Sequence, residues 1–369
     1  MMHLINISLS NFKNYASLTL DFHEKLNVLV GQNGAGKTNL LEAIYWLLTG
    51  KSMLGHGERY AIRYGCDGWE VEGDICQTGR SSRLRCAFYP KQDRKAIFID
   101  GSRMERLLDY YGRFPVVSFT PNDIDLIREA AEQRRRTMDA FFSQLSQEYA
   151  LHLMQYHALL KRRNALLKER REGRALDQAL LEVFNMRLEQ EAYPLYELRS
   201  RFTGELRPLV KRYYEQLSGG KEQIDIVYRS QLHEASLQQL WQESLSIDLK
   251  MGFTSNGIHR DDWSLLLNEV PMKWSGSQGQ RKTFLVALKL AMSDLLFLRK
   301  QQNPLLLLDD IFDKLDAERV AALLQLVQQQ HFGQVFITDT SQERMQRLLN
   351  ESKLPAALFK VKQGEVVQL

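Results

Sequence analysis

Cysteine is scarce in this chain: Cys66, Cys76 and Cys86 are the three in 369 residues, and no C-x-x-C pair is among them. An odd number without that spacing argues against both a disulfide framework and a zinc site, leaving three reduced thiols. Long apolar runs are missing as well. No window approaches the ~20 apolar residues that span a bilayer, and the opening MMHLINISLSNFKNY lacks the charged and apolar regions of a signal peptide. The expected location is therefore the cytoplasm. Nor does charge of one sign dominate, because the net charge is +4 and affinity for an acidic polymer has to come from local concentration of charge. Internal repeats and low-complexity tracts are absent. With 44% hydrophobic and 25% charged residues the composition is that of a globular protein, long enough for two or three domains.

Against these absences, residues 26–48 stand out, LNVLVGQNGAGKTNLLEAIYWLL. Gly31, Gly36, Lys37 and Thr38 complete the spacing G-x-x-x-x-G-K-S/T, with Gln32, Asn33, Gly34 and Ala35 between them. An apolar run at 26–30 reads as a buried strand and 39–48 has helical periodicity, so the loop lies between strand and helix. Three glycines let successive backbone N–H groups and the helix N-terminus point at the phosphates of a nucleotide. Lys37 is expected to reach the β and γ phosphates and the Thr38 hydroxyl to ligate Mg²⁺. The competing reading is a Gly-rich turn opening an ordinary helix, which the strand-loop-helix context disfavours.

Around this stretch the chain divides by texture. Alternation at 3–9 and 18–22 predicts two strands joined by a turn, from which Lys13 and Asn14 approach the nucleotide opposite Lys37, or else stay solvated. Short alternating segments at 69–76, 82–89, 96–99 and 115–119, with an Asp100-Gly101 turn, predict a small antiparallel sheet. From 122 to 217 helical residues dominate, broken by a turn at 171–174, which predicts an antiparallel helical hairpin or arm. Residues 128–174 hold eleven Lys or Arg against six Asp or Glu, an excess of five. The clusters Arg134-Arg135-Arg136 and Lys161-Arg162-Arg163 are either solvated helix faces or phosphate contacts to nucleic acid. Strands are expected again at 223–228, 249–253 and 263–267, with a helix at 236–245.

The last third carries acids. Leu305 to Leu308 lead into Asp309 and Asp310, the form of a buried parallel strand delivering carboxylates to the sheet edge that also holds a phosphate loop. Asp309 is the expected Mg²⁺ ligand and Asp310 the group that orients an attacking water. Two stretches compete to cap a nucleotide on a second subunit. Residues 217–221, LSGGK, precede a strand and read as a turn. Ser277-Gln278-Gly279-Gln280 precedes an apolar helix at 282–298 and offers a hydroxyl and N–H groups to a γ-phosphate. A loop at 312–316, a helix at 317–330 and an apolar strand at 335–338 follow, with Thr338 where a γ-phosphate sensor sits.

The order of these parts resembles the ATPase heads of the ABC superfamily, of the DNA-repair and SMC type, and more closely the RecF family of bacterial recombination mediators. The stretches that carry the likeness are SLSNFKNY (8–15), GQNGAGKTNLLEAIYWL (31–47), FTPNDIDLI (119–127), QRRR (133–136), GIHRDD (257–262), SQGQRK (277–282) and LLLLDDIFDKLD (305–316). The resemblance implies an α/β fold: an ABC-type P-loop head of mixed plus antiparallel sheet, in halves 1–120 and 249–369, with a helical arm at 121–248. It implies an ATP-dependent homodimer sandwiching two ATP and Mg²⁺ between phosphate loop and opposing signature. It further implies binding to double-stranded DNA and single-strand/duplex junctions, and work with RecR, in a pathway including RecO, to load recombinase in DNA replication and repair and the SOS response. Asp310 and Thr338 stand where ABC heads commonly carry Glu and His, so slow hydrolysis is expected, and Lys13 keeps charge but not the bidentate geometry of an Arg. No Gln-containing loop is legible, since Pro121-Asn122-Asp123 occupies its region. The alternatives are a transporter ATPase subunit, which the helical insertion speaks against, and an SMC-like tether, for whose long arms the chain is too short.

Overall fold

The computed structural model describes every residue except 93, 130, 221, 314–316, 328–331 and 353–354. In chain order its elements are β1 (His3–Leu4), β2 (Asn6–Phe12), β3 (Tyr15–Asp21), β4 (Leu26–Val30), α1 (Lys37–Thr49), β5 (Trp69–Gln77), β6 (Arg80–Tyr89), β7 (Arg94–Ile99), β8 (Ser102–Arg103), α2 (Leu107–Tyr110), β9 (Val116–Phe119), α3 (Asp125–Arg128), α4 (Ala131–Leu145), α5 (Gln147–Arg171) and α6 (Gln178–Ser218). They continue with β10 (Ile224–Arg229), α7 (Leu237–Met251), β11 (Asp262–Leu267), β12 (Val270–Pro271), α8 (Met272–Ser275), α9 (Gln278–Lys300), β13 (Leu305–Leu308), α10 (Ala317–Val327), β14 (Val335–Asp339), α11 (Gln342–Ser352), β15 (Ala356–Lys362) and β16 (Glu365–Gln368). No helix among the described residues is long and apolar enough to cross a membrane. The chain forms two compact units, one of residues 1–124, 212–221 and 277–369, the other of 125–211 and 222–276.

The first unit is built on two sheets with α1 in its core. One is antiparallel, in the order β3-β2-β5-β6-β7-β8, with β1 also pairing β5. The other runs β16-β15-β4-β14-β13-β9 and is parallel except for the β15–β16 hairpin. Every residue of β4, β13 and β14 is buried, which is why these strands read as largely apolar runs and not as alternation, with Asn27, Thr338 and Asp339 as the buried polar exceptions. Ten of the thirteen residues of α1 are buried. A helix covered nearly all round belongs in a core, and α1 packs there with Trp46 against Trp69 at 5.2 Å between centroids. In the parallel order β14 separates β4 from β13, so the carboxyl ends of all three strands open on one edge.

The second unit holds α3–α5, most of α6, α7 and the antiparallel sheet β10-β11-β12. Its core contains an unusual amount of charge. Arg199, with a side chain 2% exposed, donates to Asp139 at 2.8 Å, to Asp261 at 2.7 Å, to the Tyr149 hydroxyl at 2.9 Å and to the Ile258 carbonyl at 2.7 Å. Buried charges are retained only where paired and hydrogen-bonded in this way.

Three expectations are corrected, and a fourth lies partly outside the described residues. Residues 116–119 do not join the antiparallel sheet. They pair in parallel with β13, Val116 opposite Leu305, because short strands carry no local record of their partner. Residues 249–253 are not a strand. They are the last turn of α7 and its left-handed cap Gly252, φ 74°. The boundary near 248 moves too: residues 249–276 lie in the second unit, where β10 pairs β11, and residues 212–221 at the end of α6 lie in the first. The expected loop at 312–316 and helix at 317–330 fall partly outside the described residues, which hold α10 over Ala317–Val327.

Candidate nucleotide site

The phosphate loop follows β4, and its backbone is shaped by glycine at two points where a side chain is strained. Gly34 has φ 78° and Gly36 φ 119°. Gly31 is constrained differently: a Cβ there falls 2.3 Å from the Val361 carbonyl of β15. Gly364, in the β15–β16 turn, donates to the Ala35 carbonyl at 3.2 Å. Both contacts come from a hairpin some 330 residues downstream, one the sequence reading passed over. The Lys37 ammonium donates to the Gly31 carbonyl at 2.7 Å and the Gln32 carbonyl at 3.2 Å, folded over the loop where anionic oxygens would compete for it.

The turn between β2 and β3 does come to this loop. Asn14 Nδ2 donates to the Ala35 carbonyl at 3.3 Å, and Asn39 Nδ2 donates to Asn14 Oδ1 at 2.7 Å. Tyr15 adds a hydrogen bond from its hydroxyl to the Gly36 carbonyl at 2.9 Å, a contact without a local sequence signal. Lys13 lies beside them, half-buried with φ 49°; burial lowers its ammonium pKa, and the charge of Glu42 on α1 works in the opposite direction.

The acids arrive from β13. Thr38 Oγ1 donates to Asp309 Oδ2 at 2.7 Å, and Thr338 Oγ1 donates to Asp309 Oδ1 at 2.7 Å. Asp309 is 2% exposed; burial pushes its carboxyl pKa up, and the two threonine hydrogen bonds pull it back. A hydroxyl and a carboxylate at this separation form the oxygen donor set of a small hard cation, so the residues fit Mg²⁺. Together with the N–H groups of the loop they fit a nucleoside triphosphate. Asp310 takes a left-handed conformation, φ 45°, its N–H donating to Thr338 Oγ1 at 2.8 Å. Lys282 from α9 donates to the Asp310 carbonyl at 3.1 Å. Thr338, fully buried, therefore faces both acids, a placement that makes it a support for them; the expected sensor position is not an open one.

At the competing signature stretches the local structure separates the two. Ser218 ends α6, and Gly219 and Gly220 turn with φ 73° and 76° before β10; this is a turn, with Lys221 outside the described residues. Ser277 instead caps the 23-residue α9: its Oγ accepts from the Gln280 N–H at 3.2 Å while Gln280 Oε1 accepts from the Ser277 N–H at 2.6 Å. Ser277 and Gln278 are exposed and Gly279 and Gln280 half-buried. In the Pro121-Asn122-Asp123 stretch, Asp123 accepts from the Thr120 N–H at 2.6 Å and pairs with Lys289 of α9 at 2.7 Å.

The basic clusters of the second unit are only partly surface. Arg134 forks onto Asp262 at 2.7 and 2.9 Å, and Arg135 donates to the Asp261 carbonyl at 2.7 Å. Arg163 is fully buried, bound to Asp248 at 3.0 Å, Thr254 at 2.6 Å and Asn185 at 2.8 Å. Arg163 is therefore an internal tie and neither a solvated face nor a phosphate contact, while Arg134 and Arg135 are half-buried and tied to Asp262 and to the Asp261 carbonyl. Arg136, paired with Glu132 one turn away, and Lys161 and Arg162 remain exposed. The same contacts explain residues 257–262: Asp261 and Asp262 are the counter-charges of Arg199 and Arg134, and His259 Nδ1 meets the Tyr156 hydroxyl at 2.8 Å.

Comparison with known proteins agrees in sequence and in fold. Residues 3–365 match the RecF/RecN/SMC N-terminal domain family. The DNA replication and repair protein RecF of Flavobacterium johnsoniae is 38% identical over 360 residues, covering 97% of this chain and 99% of that protein. RecF of Bacteroides fragilis is 38% identical over 369 residues, with 100% and 99% covered. A solved structure of the recombination mediator protein RecF-ATP in the RecFOR pathway superposes with a TM-score of 0.88 at 29% identity, covering 100% of this chain and 98% of the other. An Smc head domain from Pyrococcus furiosus shares the fold, with a TM-score of 0.58 at 17% identity. By sequence over its whole length and by architecture, the chain belongs to the RecF family of DNA replication and repair proteins.

Proposed function

We propose that the protein is an ATP-gated DNA-binding switch of recombinational repair. Two copies close so that each phosphate loop, Gly31 to Thr38, faces the Ser277 end of α9 on the other copy, with an ATP held in each junction. The observation that carries this reading is the Thr38–Asp309 contact, 271 positions apart in sequence, which assembles a metal-ready oxygen pair beside a phosphate cradle. Thr38 and Asp309 hold Mg²⁺, which when bound neutralises phosphate charge. Lys37 leaves its own loop carbonyls for the β and γ phosphates, and Lys13 and Asn14 flank them from the β2–β3 turn. Asp310 accepts a hydrogen bond from the attacking water and orients it. Its short side chain reaches less far than a glutamate, so hydrolysis is slow and the closed state long-lived. The closed dimer grips duplex DNA near single-strand gaps and, with RecR and RecO, helps load recombinase, supporting replication restart and the SOS response.

The test is molar mass by light scattering without nucleotide, with ADP and with ATP, each with and without a gapped duplex. A dimer that forms with ATP and persists on DNA is expected, with Lys37→Ala monomeric throughout and Asp310→Asn held closed. A monomeric Asp310→Asn protein in saturating ATP overturns the sandwich.

A further inference from the structure

Between α1 and β5 the chain runs through KSMLGHGERYAIRYG, residues 51–65, in which an Arg-Tyr pair occurs twice, Arg59-Tyr60 and Arg63-Tyr64. Tyr60 is 77% exposed and Tyr64 fully exposed. His56, Arg59 and Arg63 are exposed as well, and the His56 ring lies 5.9 Å from that of Tyr60. Among the described residues neither arginine has an ion pair.

The backbone that presents these side chains is nevertheless held. Ser52 Oγ donates to Glu42 Oε1 of α1 at 2.6 Å and accepts the N–H groups of Leu54 and His56 at 3.2 and 3.1 Å. The Glu58 carboxylate takes Lys95 at 2.9 Å, and its carbonyl accepts from Trp69 Nε1 at 2.9 Å. Further along, the Lys13 N–H donates to the Ala61 carbonyl at 2.8 Å and the Arg63 N–H to the Asn11 carbonyl at 2.9 Å. Ala61, buried, is the anchor between the two exposed pairs. Rings that stand in water on an ordered backbone lose little freedom when a ligand covers them.

We propose that Arg59, Tyr60, Arg63 and Tyr64 form a platform for unpaired nucleotides, the rings stacking on bases and the guanidinium groups meeting phosphates. This rests on the proposed function and gives it a location on the first unit. Alternating cation and exposed aromatic is the chemistry of single-strand binding, because a ring stacks only on a base whose face is open. A protein contact of this kind would need an apolar centre, and the exposed residues beside the two pairs are Gly55, His56, Gly57 and Gly65, with Ala61 buried and Ile62 half-buried between them. The platform hangs from Asn11 and Lys13 by two backbone hydrogen bonds, and the same turn touches the phosphate loop through Asn14. A strand on the platform is therefore one short chain of contacts from the nucleotide.

The full-length protein with ATP is titrated by anisotropy against oligo(dT), a blunt duplex and a gapped duplex from 50 to 200 mM salt. Tyr60→Ala/Tyr64→Ala is expected to weaken oligo(dT) and gapped-duplex binding by about tenfold or more, with a smaller effect on blunt duplex, while Tyr60→Phe/Tyr64→Phe restores it. Arg59→Gln/Arg63→Gln is expected to reduce the log-log salt slope on oligo(dT) by about 1.4, or ~0.7 for each phosphate released. Thermal unfolding of each variant verifies the fold. Parental affinity and slope in all variants overturn the platform alone, as does equal weakening on all three DNAs. Loss of the ATP dimer in the alanine variant would assign the rings to contact with a second copy and also overturn it. A parent that binds none of the DNAs overturns the proposed function itself.

Discussion

Replacing Thr338 by valine removes one hydroxyl and almost no volume, and the structure predicts a large effect. The Thr338 Oγ1 donates to Asp309 Oδ1 at 2.7 Å and accepts the Asp310 N–H at 2.8 Å, in a residue with no solvent exposure. A hydrogen bond to a charged group contributes about 1.5–3 kcal/mol, and a buried N–H without an acceptor costs about 1–3 kcal/mol. With partial relaxation the loss comes to about 2–4 kcal/mol, carried by the first unit. Thr338→Ser keeps the hydroxyl and gives up one buried methyl, about 1 kcal/mol. At about 2–4 °C per kcal/mol for a unit of this size, valine lowers its thermal midpoint by roughly 4–15 °C and serine by a few degrees. Calorimetry reads this directly, the relevant transition being the one that MgATP shifts upward. If Thr338 were a packing residue the order would reverse. A valine variant as stable as the parent, with serine the weaker, refutes the support role.

Other perturbations test other parts of the molecule. Gly31→Ala puts a methyl 2.3 Å from the Val361 carbonyl, so the loop must shift, and ATP binding by calorimetric titration is expected to be lost although no charged group has changed. Arg163→Gln leaves the fully buried Asp248 without its cation and is expected to cost the second unit about 3–5 kcal/mol in urea unfolding, whereas Arg162→Gln one position away leaves stability within about 0.5 kcal/mol. The His259 imidazole is pushed down to about 4, chiefly by burial, with Arg260 and Arg135 adding to the effect. A pKa lowered in the folded state gives stability that is complete above the unfolded value of ~6.5 and is lost as pH falls through the folded value. The stability gap between parent and His259→Gln, from urea midpoints at pH 7, 5 and 4, is expected to shrink steadily with acid.

Much of the candidate nucleotide site is legible in the sequence because its parts are local. The loop from Gly31 to Thr38 declares itself by spacing and the β13 run by four leucines before two acids, while the Ser277 stretch, expected to precede a helix at 282–298, instead caps α9 and forms its first turn from Gln278. Each is a contract between a few neighbouring residues and the backbone they bend or cap, so no distant information is needed. Charge was the opposite case. Arg134, Arg135 and Arg163 look in sequence like Arg136, Lys161 and Arg162, and only the fold shows that Asp262, the Asp261 carbonyl and Asp248 reach the first three. A solvated cation and a buried one differ in their acceptors, and those acceptors come from segments 85 to 128 residues away. The same holds for the β9 strand, whose partner is 189 positions downstream, and for Val361 against Gly31. What the sequence by itself determined was the local chemistry, a strand, a phosphate loop, a capped helix and a pair of acids in order. Which strand lies beside which, and which charges meet water, was decided by the tertiary structure, because burial and pairing belong to the whole fold.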